Sequence, residues 1–267
     1  MKLYKRDYLK GLNDKEKIEY KQILQQETEG RTFGHKNLFY KYPSAARNWI
    51  SLFPNNYLDI IDLKNRDKLS VKNTEFKNLI ETDTTRERDV LNFINQNENY
   101  HIIGSILKGA GYRFGHHSAY LFKEFPLGNE MIADYLIIGK SSSGYHFVFV
   151  ELESVYDRIT LHNGSFGASI RKGISQVKDW KRWLPVQFNQ FYQELNSAKK
   201  DEDSLSDEFI TYDPTRFHFV VVAGRRDDFN DFTYRLSREE ELKENIKVIH
   251  YDNLIDYSNR MIYEMTY

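Results

Sequence analysis

Two apolar runs joined by a polar turn dominate the hydropathy pattern. Ile132-Ala133-Asp134-Tyr135-Leu136-Ile137-Ile138 carries a lone aspartate, and Phe147-Val148-Phe149-Val150-Glu151-Leu152-Glu153 ends in two alternating acids. Gly139-Lys140-Ser141-Ser142-Ser143-Gly144 between them has turn chemistry, so the pair predicts a β-hairpin. Side chains alternate across a strand. Tyr145, Phe147, Phe149, Glu151 and Glu153 therefore share one face, and Val148, Val150 and Leu152 the other.

The same patterning divides the rest of the chain. Residues 14–29 predict a helix capped by Asn13 or Asp14, with a narrow stripe of Ile18, Tyr20, Ile23 and Leu24. Two amphipathic pieces, 44–53 and 57–63, flank Pro54-Asn55-Asn56, and 64–72 reads as a charged connector. A boundary is expected near residue 80. Thr84 and Glu87 have capping-box spacing ahead of Val90, Leu91, Phe93 and Ile94. Gly109, Gly111 and Gly115 predict a loop, followed by a strand over 119–127 that pairs with 131–138. A helix begins near Ala168 with an apolar stripe of Ile170, Ile174, Val177 and Leu184, breaks near Pro185, and resumes. Residues 199–208 predict an exposed polar loop. Phe217 to Gly224 is a nearly unbroken apolar run, as in a strand buried on both faces. A strand at 247–251 and a closing helix complete an α/β domain with a mixed sheet over 81–267. Residues 1–80 predict a small, mainly helical region for regulation or oligomerisation.

Composition narrows the chemistry. The 267 residues include no cysteine, which removes disulfides, thiolate catalysis and Cys-ligated metals. The formal net charge of −1 gives no global basic signal, so any nucleic-acid contact must use local patches. No apolar run approaches the length of a membrane helix, and the N-terminus lacks a signal-type apolar core. A cytoplasmic protein with no membrane partner is expected.

Asp134, Glu151 and Glu153 are the candidate chemistry. Carboxylates at the end of a greasy strand repel one another unless a cation or bound protons relieve them, and Mg2+ or Mn2+ prefers oxygen ligands. A solvated strand end is the alternative. On the helix from Ala168, Lys172, Gln176, Trp180 and Trp183 lie along one stripe. Core packing accounts for the tryptophans, and Lys172 reads equally as solvated or as part of a site. Of His116-His117 at most one can serve a site, because neighbours on a strand point to opposite faces.

An Asp on one strand followed by Glu-x-Glu on the next resembles the PD-(D/E)xK nuclease core. The order ADYLI, FVELES, NGSFG, KGISQVKDWKRWL, FHFVVVAGRR and VIHYDNL resembles the Shedu family of prokaryotic anti-phage defence proteins, over residues 84–257. The resemblance implies a restriction-endonuclease-like fold, Mg2+- or Mn2+-dependent DNA cleavage and a homo-oligomer. It assigns Asp134 and Glu151 to the metal. Glu153 stands where the general motif has lysine, which leaves three substitutes open: Gln176, which matches the family's helix glutamine, Lys172 one turn before it, or Glu153 itself as a further ligand. Arg171, Lys178, Lys181, Arg182, Arg225 and Arg226 are the expected DNA-backbone contacts. The competing reading, a nuclease-like binding module without catalysis, rests on the missing motif lysine.

Overall fold

The computed structural model describes residues 2–29 and 42–267. Five strands form one mixed sheet in the order β1-β2-β3-β4-β5: β1 (Ser118–Leu127), β2 (Met131–Ser141), β3 (Gly144–Leu152), β4 (Phe217–Val222) and β5 (Ile246–Ile249). The first three strands are antiparallel, and β3-β4 and β4-β5 are parallel. The predicted hairpin forms with Ser141 opposite Gly144, where Gly144 adopts φ 101°. That positive φ suits glycine.

The helices in chain order are α1 (Asp14–Glu29), α2 (Pro43–Ile50), α3 (Arg66–Ile80), α4 (Glu87–Gln96), α5 (His101–Gly104), α6 (Ile106–Gly109), α7 (Ala168–Val186), α8 (Phe188–Ala198), α9 (Asp207–Ile210), α10 (Asp231–Glu244) and α11 (Tyr251–Met261). Two buried layers sandwich the sheet. On one side Phe147, Phe149 and Phe219 pack with Ile170, Val177, Trp180 and Phe191, joined by Phe53 and Tyr57 from the N-terminal region. On the other, Val148, Val150, Leu152 and Val222 pack with Phe76, Ile94, Ile106 and Leu254. The alternation read from β3 therefore holds along its length. Each fully buried phenylalanine removes enough apolar surface from water to contribute about 2–3 kcal/mol. Tyr57 bridges to Tyr120 on β1 and the Leu58 N–H donates to the Ala119 carbonyl, so the N-terminal region extends the sheet's edge.

Three expectations need correction, and one helix was not foreseen. Residues 66–80 are helical rather than a connector, because Leu69, Asn73, Phe76 and Ile80 recur at helical spacing and are buried. The glycine-marked stretch before β1 holds the short helices α5 and α6. A Cβ on Gly104 would lie 2.6 Å from the Tyr267 ring, and one on Gly109 2.0 Å from the Tyr257 ring. Gly109 therefore permits close packing at the end of a helix, whereas Gly111 and Gly115, at φ 83° and 111°, do lie in the expected loop. The α10 helix escaped prediction because only Thr233 and Ser237 are buried on it. Finally, α4 starts at Glu87, with Arg86 as N-cap and Asp89 as its box partner. Thr85 Oγ instead donates to the Leu79 carbonyl at 2.6 Å.

Among the described residues no helix is long and apolar enough to cross a membrane.

Candidate active site

The site forms where the β2-β3 ladder ends. Its last regular pair is Tyr135 with Val150. Beyond it the Leu152 N–H donates to Asp134 Oδ2 at 2.7 Å, so a side chain takes the place of a backbone acceptor. On β1, Lys123 pairs with Tyr135 and Phe125 with Ala133, while Glu124 between them adopts φ 50°. The pleat slips at this level: Ala133 and Leu136 face the same layer although they lie three residues apart. That kink takes Asp134 out of the regular alternation and sets it beside the end of β3. On the other flank β3 stays paired with β4, Glu151 opposite Val221, and the Glu153 N–H donates to the Val222 carbonyl at 2.8 Å.

Both acids at the end of β3 are buried, Glu151 within the strand at 5% exposure and Glu153 just beyond it at 2%. Burial raises Glu151 far above the ordinary carboxylate range, and the charges of Asp134 and Glu153 raise it further. Burial also raises Asp134, opposed by the Leu152 hydrogen bond. Glu153 rises through burial, opposed by Lys172. Acids in this condition hold protons at neutral pH or need a cation.

The Lys172 ammonium, on α7, donates to Glu153 Oε2 at 3.0 Å and keeps 60% of its side chain exposed. The helix comes this close because residue 173 is glycine: a Cβ there would lie 2.7 Å from Val221 Cγ1 and 3.1 Å from Glu153 Cγ. One turn on, Gln176 brings its amide to the same wall. Three buried oxygens, Glu151 Oε2, Glu153 Oε1 and Gln176 Oε1, have no hydrogen-bond partner among the described residues. Unpaired buried oxygens are costly and rare, and these mark groups kept for something else to bind.

The charge of a further acid acts on the site. The charge of Glu87, in the first turn of α4, raises Asp134, Glu151 and Glu153. With the cap made by Arg86 and Asp89, Glu87 has no capping duty. Its sequence context, a near-perfect capping box, pointed away from this role.

The predicted DNA-contacting cations separate into two groups. Arg171 is exposed and its side chain has no partner among the described residues. Lys178 pairs with Glu240 at 3.2 Å, Lys181 with Glu244 at 2.8 Å, and Arg182 with Asp179, the first two tying α7 to α10. Arg225 bonds the Ile80 carbonyl, the Tyr156 hydroxyl and both Asp252 oxygens. Arg226 pairs with Asp256. His117 is exposed against His116, and its N–H donates to the Lys140 carbonyl at the far end of β2 from Asp134.

The donor set suits a hard divalent cation, since every candidate ligand is oxygen. Among the described residues no three acid or histidine groups converge as a ready-made ligand cluster. Mg2+ needs none: it keeps several waters and is held by one or two carboxylates together with substrate phosphate. Asp134 and Glu151, with the unpartnered oxygens around them, fit that demand.

A family model described as "Shedu protein SduA, C-terminal" matches residues 84–255. No curated protein matches the chain.

Proposed function

The chain belongs to the Shedu family, and from that premise we propose that it is a metal-dependent DNA endonuclease. The family points to anti-phage defence. The observation that carries the enzymatic reading is the group of unpartnered oxygens on Glu151, Glu153 and Gln176 beside Asp134, with the Lys172 ammonium fixed at the third motif position.

Asp134 and Glu151 would hold Mg2+ or Mn2+. A cation there supplies Lewis-acid activation of water and offsets charge growing on the phosphate. Both carboxyls release their protons to take it up. Glu153 anchors Lys172, whose exposed ammonium faces the substrate and stabilises charge on a non-bridging oxygen, the work of the motif lysine. Gln176 Oε1 accepts a hydrogen bond from the attacking water and so orients it. Glu87 adds negative charge that favours a divalent over a monovalent ion. Arg171 holds a backbone phosphate. Lys178, Lys181, Arg182, Arg225 and Arg226 must give up carboxylate partners before they can do the same. A homo-oligomer with residues 1–80 in a regulatory or assembly role completes the proposal.

The test is plasmid cleavage by wild type and Glu151→Ala, with and without Mg2+. Cleavage by the wild type alone, and only with metal, supports the proposal. Equal activity in the two proteins contradicts it.

A further inference from the structure

A second polar pocket lies between the N-terminal region and the α4-α5 segment, away from the carboxylates. Its volume is about 230 Å³ and its walls include Tyr4, Arg47, Lys68, Lys72 and His101. The Arg47 side chain is 6% exposed. Its guanidinium carbon lies 4.1 Å from the Tyr4 ring centre and 4.9 Å from that of Tyr8, and Nη2 donates to Asp59 Oδ2 at 2.5 Å. Nε and Nη1 are buried with no hydrogen-bond partner among the described residues. Arginine only donates, so whatever meets these two nitrogens must present acceptor oxygens.

The surroundings add positive charge. Lys68 is exposed with no side-chain partner among the described residues, and Lys72 gives one proton to Glu75 at 2.8 Å. Burial first, then the charges of Lys68 and Lys72, push His101 down to about 4. His101 is therefore neutral at pH 7, hydrogen-bonded to Asn73 Oδ1 at 2.8 Å. Asp62 and Glu98, both exposed, stand among the lining residues. They disfavour a fully deprotonated anion and suit one that keeps a proton to donate.

We propose that this pocket binds a small phosphate anion, with Arg47 Nε and Nη1 and the Lys68 and Lys72 ammonium groups as donors and a rim carboxylate accepting the phosphate's own proton. The free ion and the singly protonated phosphate of a mononucleotide, which prevails below about pH 6, share this chemistry. The walls come from both sides of residue 80, so an occupant clamps the N-terminal region onto the segment that begins the nuclease-like core. This inference does not depend on the proposed nuclease activity.

The test is calorimetric titration of the full chain, in EDTA at about pH 5.5, where phosphate and most of the nucleotide phosphate keep a proton, and constant ionic strength, with sodium phosphate, 5′-AMP and sodium sulfate. Expected are one saturable site for phosphate and sulfate binding at least about tenfold weaker, because sulfate has no proton to give a carboxylate. AMP binding tighter than phosphate assigns the site to nucleotides, and equal or weaker binding assigns it to the free ion. The double variant K68Q/K72Q changes two solvent-side residues of α3 and should weaken phosphate by about tenfold or more while retaining the wild-type melting curve. Arg47→Lys keeps the charge, removes the two unpartnered nitrogens and should weaken it similarly. Absence of saturable phosphate and AMP binding in the wild type, or unchanged affinity in K68Q/K72Q, overturns the proposal.

Discussion

Replacing Glu151 by glutamine should make the metal-free protein more stable at neutral pH, the reverse of the usual effect of changing a buried polar residue. Glu151 is 5% exposed, and its carboxyl is raised by burial and by Asp134 and Glu153. A carboxyl whose folded value lies above its unfolded value binds its proton more tightly in the native state. Its contribution is fully retained below the ordinary glutamate range and is lost as pH rises through the raised one. Each pH unit in which the native state keeps a proton that the unfolded chain has released costs about 1.4 kcal/mol. Between about pH 5 and pH 7 one such group loses up to about 3 kcal/mol. The neutral amide escapes this loss. In EDTA, Glu151→Gln should therefore melt about 5–10 °C above wild type at neutral pH, and the gap should close near pH 4.5. Thermal melts across that range decide it. A variant less stable than wild type at pH 7, or a difference independent of pH, would refute the burial argument.

Four further outcomes follow from the geometry. Lys172→Met removes the one ion-pair partner of Glu153 among the described residues and should lower the plasmid cleavage rate by about 100-fold, with Lys172→Arg losing less. Gly173→Ala places a methyl against Val221 and Glu153, and urea denaturation should show a loss of about 1–3 kcal/mol. Arg225→Ala cuts bonds to Ile80, Tyr156 and Asp252, so it should cost about 2–3 kcal/mol of stability while leaving DNA affinity in a filter-binding assay unchanged. Mn2+ affinity should rise with pH from about 6 to 8, because the raised acids must release protons to bind it.

Much of this architecture could be read from single residues. The hairpin, the two faces of β3 and the doubly buried β4 were legible because alternation and unbroken apolar runs reflect one local constraint, the pleat. Helices α3 and α10 were less so: the buried residues of α3 are spread through a charged segment, and α10 buries only Thr233 and Ser237 fully, with Leu236 half-buried against the core. Gly109 misled because a breaker and a close contact use the same residue, and only its partner Tyr257, far along the chain, tells them apart. At the site, the acids on β2 and β3 and the Lys172–Gln176 stripe were legible from strand and helix periods. The hydrogen bond from Leu152 to Asp134 was not, since it depends on a ladder ending early. Nor was the field of Glu87, which hides behind a capping-box spacing that Arg86 and Asp89 fill instead. Charge counting along α7 also overstated the free positive surface, because the neutralising partners Glu240 and Glu244 lie on a helix that the apolar pattern did not announce.

The account stands on buried carboxylates that surrender protons to a divalent cation. Calorimetry with Mn2+ at about pH 8, repeated in two buffers of different ionisation enthalpy, measures both halves of that statement at once. The expected result is saturable binding with proton release by the wild type and none by Asp134→Asn or Glu151→Gln. Wild-type protein that takes up no Mn2+, or variants that bind it as tightly with the same proton release, would contradict the account.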